Sequence, residues 1–313
     1  MISFRYHLVS LISVFLAIAL GIVIGTTQLN GAVLDGLATQ VDNLTDDKRE
    51  LETRSQTLQS QLAEGDAFGE AVAPVLVADK LPGATVLVVL AAEDIDADVV
   101  DQTTALVEAA GATVAGTLQL LPEYGDPQVA QDLQNYATSE GVPPGIQLPV
   151  TDDAGILVGA LLGTVLMNPT EGLEPVDPTA TTTVLAALSS LGVLSVESPE
   201  VAGADYAIIL TVDALDGDDA VERNTTLAEL AEALDTAGRG AVVAGDALSA
   251  GETGLVGAIR ADPTGAAAVS TVDNVNVAAG RVSTVLALSA EGQGTSGKYG
   301  TGEDTQPVPP LDQ

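Results

Sequence analysis

From Leu8 to Ile24 the chain reads LVSLISVFLAIALGIVI, with no charged residue and only Ser10 and Ser13 polar. With Gly25, Thr26 and Thr27 the run reaches about 20 residues, enough to cross roughly 30 Å of hydrocarbon as a helix. A helix that is apolar on every side is either buried in a core or embedded in lipid. Arg5 precedes the run and the first charge after it is Asp35. Positive residues stay on the cytoplasmic side. Residues 1–7 are therefore expected in the cytoplasm, 8–27 across the membrane, and the rest outside the cytoplasm. Phe4 and Tyr6 suit the membrane interface. A cleaved signal peptide is the alternative, but the run is longer than a usual signal core and no clean small-x-small site follows. Gly21 and Gly25 form a GxxxG that would let two such helices pack closely.

Leu34, Leu37, Val41, Leu44, Lys48, Leu51, Ser55, Leu58 and Leu62 follow at alternating spacings of three and four. This is a heptad series with Leu at each d position, which predicts a parallel two-stranded coiled coil over a 28–65 stalk. Polar Lys48 and Ser55 at two a positions lower its stability and help fix register or partner choice. An amphipathic helix packed on its own domain is the competing reading. Gly65 is expected to break the helix. The nine heptad residues are the candidate partner-binding surface, with a second copy of the chain as first partner.

Residues 66–291 read as an extracytoplasmic, Rossmann-like α/β domain with a largely parallel sheet. The strands are continuous apolar runs, as sheets covered on both faces require. Ala84–Ala91, Ala112–Leu118, Tyr206–Val212, Ala241–Ala244 and Ala266–Val272 are predicted strands. Helices are predicted at 97–110, 219–236 and 281–289, and after the cap pair Asp177 and Pro178. The apolar run 154–167, with Gly159 and Gly163, reads as a buried helix. Residues 292–313, rich in Gly, Pro, Thr and acids, are expected to be disordered.

Composition narrows the chemistry. The formal net charge is −34, which repels nucleic acid. There is no Cys, and the one His, His7, precedes the apolar run. Thiolate and imidazole catalysis and Cys- or His-bound metals are thus missing outside the membrane, and no enzyme activity and no cofactor are expected. Gly292, Gly294 and Gly297 match GxGxxG, but the following KYGTGEDTQPVPP cannot form the required helix. Two acidic clusters follow predicted strands: Glu93, Asp94, Asp96 and Asp98, then Asp213, Asp216, Asp218 and Asp219. Each could bind a hard cation through oxygen donors, but the glycine and glutamate of an EF-hand loop are missing and helix N-terminal capping explains the acids equally well, so no metal site is expected.

Three stretches, MISFRYHLVSLISVFLAIALGIVIGTT at the start, STVDNVNVAAGRVSTVLAL at 270–288 and KYGTG at 298–302, resemble the actinobacterial copper transporter family. That family comprises the mycobacterial copper transport protein B group and includes the corynebacterial cell-separation protein SteB. The resemblance covers the whole chain in the same order. It implies two functions. One is copper export or copper tolerance. The other is cell separation beside a SteA-type membrane partner, with the coiled coil engaging an NlpC/P60-type cell-wall hydrolase of the RipA kind. Copper(I) prefers thiolate and thioether ligands, and beyond the membrane run the chain has only Met167 of these. The main expectation is therefore a dimeric envelope scaffold or regulator of cell separation, with copper transport or tolerance as the alternative.

Overall fold

A computed structural model describes residues 4–139, 141–169 and 176–310, without the side chains of residues 27–35 and 38. The chain divides into two compact units, residues 1–65 and 66–313.

The first unit is helical. It belongs to α1, which spans Phe4–Val77. Over Phe4–Thr26 the helix is long and apolar enough to cross a membrane, and its large apolar side chains are exposed all round. Two of its hydroxyls are satisfied internally: Ser13 Oγ donates to the Val9 carbonyl and Thr26 Oγ1 to the Ile22 carbonyl, each at 2.9 Å. Such back-bonding is what lets hydroxyls sit in hydrocarbon.

Contrary to expectation, Gly65 does not end the helix. A glycine inside a helix costs only about 1 kcal/mol. The turns beyond it are fixed by docking within the second unit. Ala73 and Val77 are buried, the Ala278 amide donates to Asp66 Oδ1 at 2.5 Å, and Arg281 Nη2 donates to Glu70 Oε1 at 3.3 Å.

The second unit continues with β1 (Thr85–Leu90), α2 (Ala97–Ala109), β2 (Thr113–Leu120), a 3-10 turn (Pro122–Gly125), α3 (Ala130–Ala137), α4 (Ala154–Leu166) and α5 (Pro178–Ser190). Then come β3 (Leu194–Val196), β4 (Tyr206–Leu210), α6 (Ala220–Ala237), β5 (Ala241–Ala244), α7 (Leu255–Ala261), α8 (Gly265–Ala268), β6 (Ser270–Val272), α9 (Ala278–Glu291) and β7 (Lys298–Tyr299). The strands form one seven-stranded sheet in the order β3-β2-β1-β4-β5-β6-β7. All neighbours are parallel except β2 and β3. The expected mixed α/β fold with a mostly parallel sheet is thus present.

Alternate strand residues feed two cores. Leu87, Val89, Ile209 and Val243 pack with α4, α5, α6 and α7 on one face. Val86, Val88, Ile208 and Val242 pack with α2, α9 and the end of α1 on the other. Helix α4 lies close against α6 because its glycines recur every four residues. A Cβ on Gly163 would meet the Ala233 carbonyl at 2.9 Å, and one on Gly159 would meet the Glu229 carbonyl at 3.3 Å. Asp177 caps α5 as expected, accepting from the Thr179 amide at 2.8 Å.

Two expectations fail at the C-terminal side. The predicted strand at 266–272 begins as the short helix α8, and only Ser270–Val272 pairs. The tail expected to be disordered instead supplies β7, paired with β6 through Thr271–Lys298 and Val272–Tyr299. Composition could not reveal this, because the anchor lies far away in sequence. Asp273 accepts from the amides of Thr301 at 2.7 Å and Gly302 at 3.1 Å. The glycines make the clasp possible: Gly300 sits at φ +127°, and a Cβ there would collide with the Asp273 carboxylate.

Candidate functional site at the carboxyl edge of the sheet

In an open parallel sheet, ligands bind where consecutive connections leave for opposite faces. Here that point lies between β1 and β4. After β1 the chain passes to α2 on one face, and after β4 it passes to α6 on the other. A crevice of about 250 Å³ opens at their carboxyl ends. It is lined by Glu93 and Asp94 after β1, Asp213 and Asp216 after β4, and Arg223 from α6.

The fold therefore unites half of each acidic cluster. The remaining acids act elsewhere. Asp96 caps α2, its Oδ1 accepting from the Asp98 amide at 3.0 Å. Asp219 occupies the N-cap position of α6, and neither Asp98 nor Asp218 lines the crevice. Asp213 is held at φ 57°, a left-handed conformation uncommon outside Gly, Asn and Asp. Its amide donates to Asp246 Oδ1 at 3.0 Å. Arg223 was not anticipated from sequence. Its Nη2 donates to the Pro122 carbonyl at 3.4 Å, which sets the guanidinium on the crevice wall.

This arrangement disfavours a nucleotide. The β1–α2 loop, Ala91–Asp96, has no glycine, and carboxylates stand where a phosphate would need amides and positive dipole. Among the described residues no three Asp, Glu, His or Cys converge as a metal-binding group.

The heptad surface lies on α1. Leu37, Val41, Leu44, Leu51, Leu58 and Leu62 are 50–73% exposed. Ser55 is exposed, and Lys48 pairs with Glu52 at 3.4 Å on the solvent side. The side chain of Leu34 lies outside the described residues.

A family profile described as "Copper transport outer membrane protein, MctB" matches residues 1–310. The chain belongs to the MctB family. It is 32% identical to the protein named Copper transporter MctB of Mycobacterium tuberculosis (strain ATCC 25618 / H37Rv), over 98% of this chain and 99% of that one. It is also 32% identical to Copper transporter MctB of Mycobacterium leprae (strain TN), over 96% of this chain and 97% of that one. The resemblance noted in the sequence is thus a family relationship along the whole chain. In this MctB-family chain Met167 is 4% exposed, sealed against the core where it bridges to Ala204. No Cys is present, so metal reaching the crevice meets oxygen donors alone.

Proposed function

We propose that this chain is a membrane-anchored protein of copper handling at the cell envelope, with its N-terminus cytoplasmic and its α/β domain outside. Family membership over the whole chain, with relatives named as copper transporters, carries this reading. The donor chemistry limits how copper could be engaged. Carboxylates bind copper(II) through oxygen, whereas copper(I) favours sulfur that this domain does not offer. The domain is not an enzyme and acts through binding, either on the metal in the crevice or on envelope partners. Deleting the gene and measuring copper sensitivity and copper accumulation tests the reading. Unchanged values would remove copper from the account. Complementation with Glu93→Gln, Asp94→Asn, Asp213→Asn and Asp216→Asn together separates a direct role of the crevice from an indirect one.

The exposed leucine row supports a second reading. In it the chain dimerises through the heptads as a parallel coil and serves as a scaffold in cell separation. A SteA-type membrane partner and an NlpC/P60-type hydrolase would bind beside or through that coil. Pull-down from envelope extract with and without residues 34–62 distinguishes it: a hydrolase captured equally well by both forms would rule out the heptad surface as its docking site.

A further inference from the structure

The end of α1, within the second unit, has its charges turned inward and its apolar residues outward. From Gly65 to Ala78 the only charged residues are Asp66 and Glu70, and both are bonded to α9, at the Ala278 amide and at Arg281. Ala73 and Val77 are buried on the same side. These four residues stand four, three and four apart, so one helix face carries them all. Phe68, Val72 and Val75 stand four and three apart on a face nearly opposite. Phe68 is 70% and Val75 78% exposed, and Leu76 beside them is 46% exposed. A surface helix shows the reverse, with apolar residues to the core and charges to water. The only Phe beyond the membrane run is thus left in water.

The stripe is too small to be an interface of its own. Phe68, Val75 and Leu76 expose on the order of 350 Å² of apolar surface, whereas each partner in a stable complex contributes roughly 800 Å². The missing area is present if the stripe extends a longer one. After Leu58 and Leu62, the positions Gly65, Phe68, Val72 and Val75 follow at spacings of three, three, four and three. This is the heptad row of 34–62 carried on through one three-residue stammer, which overwinds a coil locally without ending it. Leu51, Leu58 and Leu62 are themselves 66%, 50% and 73% exposed. No charge interrupts the stripe, and Ala71 at its side is small and exposed, so a second helix can come close.

We propose that Phe68, Val72 and Val75 pair with the same residues of a second copy of this chain, carrying the parallel coil past Gly65 to the end of α1. The inference rests on the coiled-coil reading and deepens it by fixing how far the pairing runs. A second copy fits the stripe for two reasons. Anchored copies share their direction, since each has its apolar segment Phe4–Thr26 at the same end of α1. The two-fold symmetry of such a pair then sets Phe68 against Phe68 and Val75 against Val75. Every such contact is apolar, so the heavy negative charge of the chain does not oppose pairing along this line.

The experiment is thiol cross-linking of the full chain in detergent micelles. The chain has no cysteine, so a short bismaleimide joins only the thiols installed at Leu51→Cys, Phe68→Cys, Val75→Cys or Ser60→Cys, the last on the side away from the leucine row. Covalent dimers are expected from the first three and far fewer from Ser60→Cys. Phe68→Asp with Val75→Asp should weaken self-association about tenfold or more in sedimentation, from the loss of buried apolar contacts, at an unchanged melting point. Dimers from Leu51→Cys with none from Phe68→Cys and Val75→Cys would overturn this inference and spare the coil. Lipid or an unlike partner on the stripe would give that same result. Dimers from none of the three would overturn both. A lowered melting point in the double Asp chain with unchanged self-association would assign the stripe to its own domain and also overturn the inference.

Discussion

Arg260 Nη1 donates to Asp273 Oδ2 at 2.7 Å, with the two side chains only 12% and 1% exposed. The same guanidinium donates to Thr271 Oγ1 and to the Tyr299 carbonyl, each at 2.9 Å. One arginine thus joins β6 to β7, and one aspartate closes the loop beyond β7. Replacing Asp273 with Asn leaves a buried guanidinium without its counter-charge. Breaking such a pair costs about 3–5 kcal/mol. Chemical denaturation of the full chain should register this loss, accompanied by proteolytic cleavage after residue 297. A midpoint equal to wild type would show that the pair does not hold the edge.

The acidity of the buried carboxylates sets an unusual pH profile. Burial pushes Glu291 and Glu229 up to about 7 and Asp235 up to about 6, with neighbouring acids adding to each. The folded state then binds more protons than the unfolded chain between pH 4.5 and 7, so stability falls as pH rises through that window. Asp273 works the other way. Burial opposes its charge, but the Thr301 and Gly302 amides and Arg260 prevail and hold its pKa below 3.8, so its contribution is lost only in stronger acid. Melting of the full chain should be higher at pH 5 than at pH 8. After allowance for partial exposure, the difference is expected at about 1–3 kcal/mol, a few degrees. A higher melting point at pH 8 would contradict this.

Helix α4 rests on α6 at backbone distance. Gly163→Ala places a methyl 2.9 Å from the Ala233 carbonyl and 3.1 Å from the Ala237 side chain. Neither neighbour is a flexible side-chain end, so the helices must part. Overpacking of this kind costs about 1–3 kcal/mol. Gly145→Ala is a useful contrast. Nothing stands within 4 Å of its Cβ position, but its φ of +99° carries a backbone penalty instead. A Gly163→Ala chain as stable as wild type would mean that the helices separate without cost.

The leucine row makes a prediction about assembly. Leu44 and Leu51 are 67% and 66% exposed in the single chain. If two copies pair there, each Leu→Asp change removes a buried leucine and should weaken self-association well beyond tenfold. Lys48→Leu with Ser55→Leu should strengthen it. Analytical ultracentrifugation in detergent reads both effects, and a monomeric wild-type chain would dismiss the coil.

The α/β core was legible because its strands are saturated with Val, Ile, Leu and Ala, and because Asp177 and Pro178 announce α5 locally. The short elements were not. β3 and β7 carry too few residues for a pattern and exist through pairing with β2 and β6. Gly65 misled because the end of α1 is decided by docking on α9, not by local preference. The two acidic clusters could be read separately, but only the crossing of β1 and β4 selects Glu93, Asp94, Asp213 and Asp216 from them. Arg223 carries no local signal at all, since its place on the crevice wall depends on how the 3-10 turn lies against α6.

The meeting of α1 with α9 has a consequence for how the protein is made. Asp66 binds Ala278 and Glu70 binds Arg281 across 212 and 211 residues of chain. Among the described residues the last strand to join the sheet is β7, beside β6. A ribosome must therefore release Ala278 and Arg281 before the turn carrying Asp66 and Glu70 can dock, and contacts this distant form slowly. Until β7 pairs, β6 presents an open edge, and quality control would recognise the unfinished sheet by it.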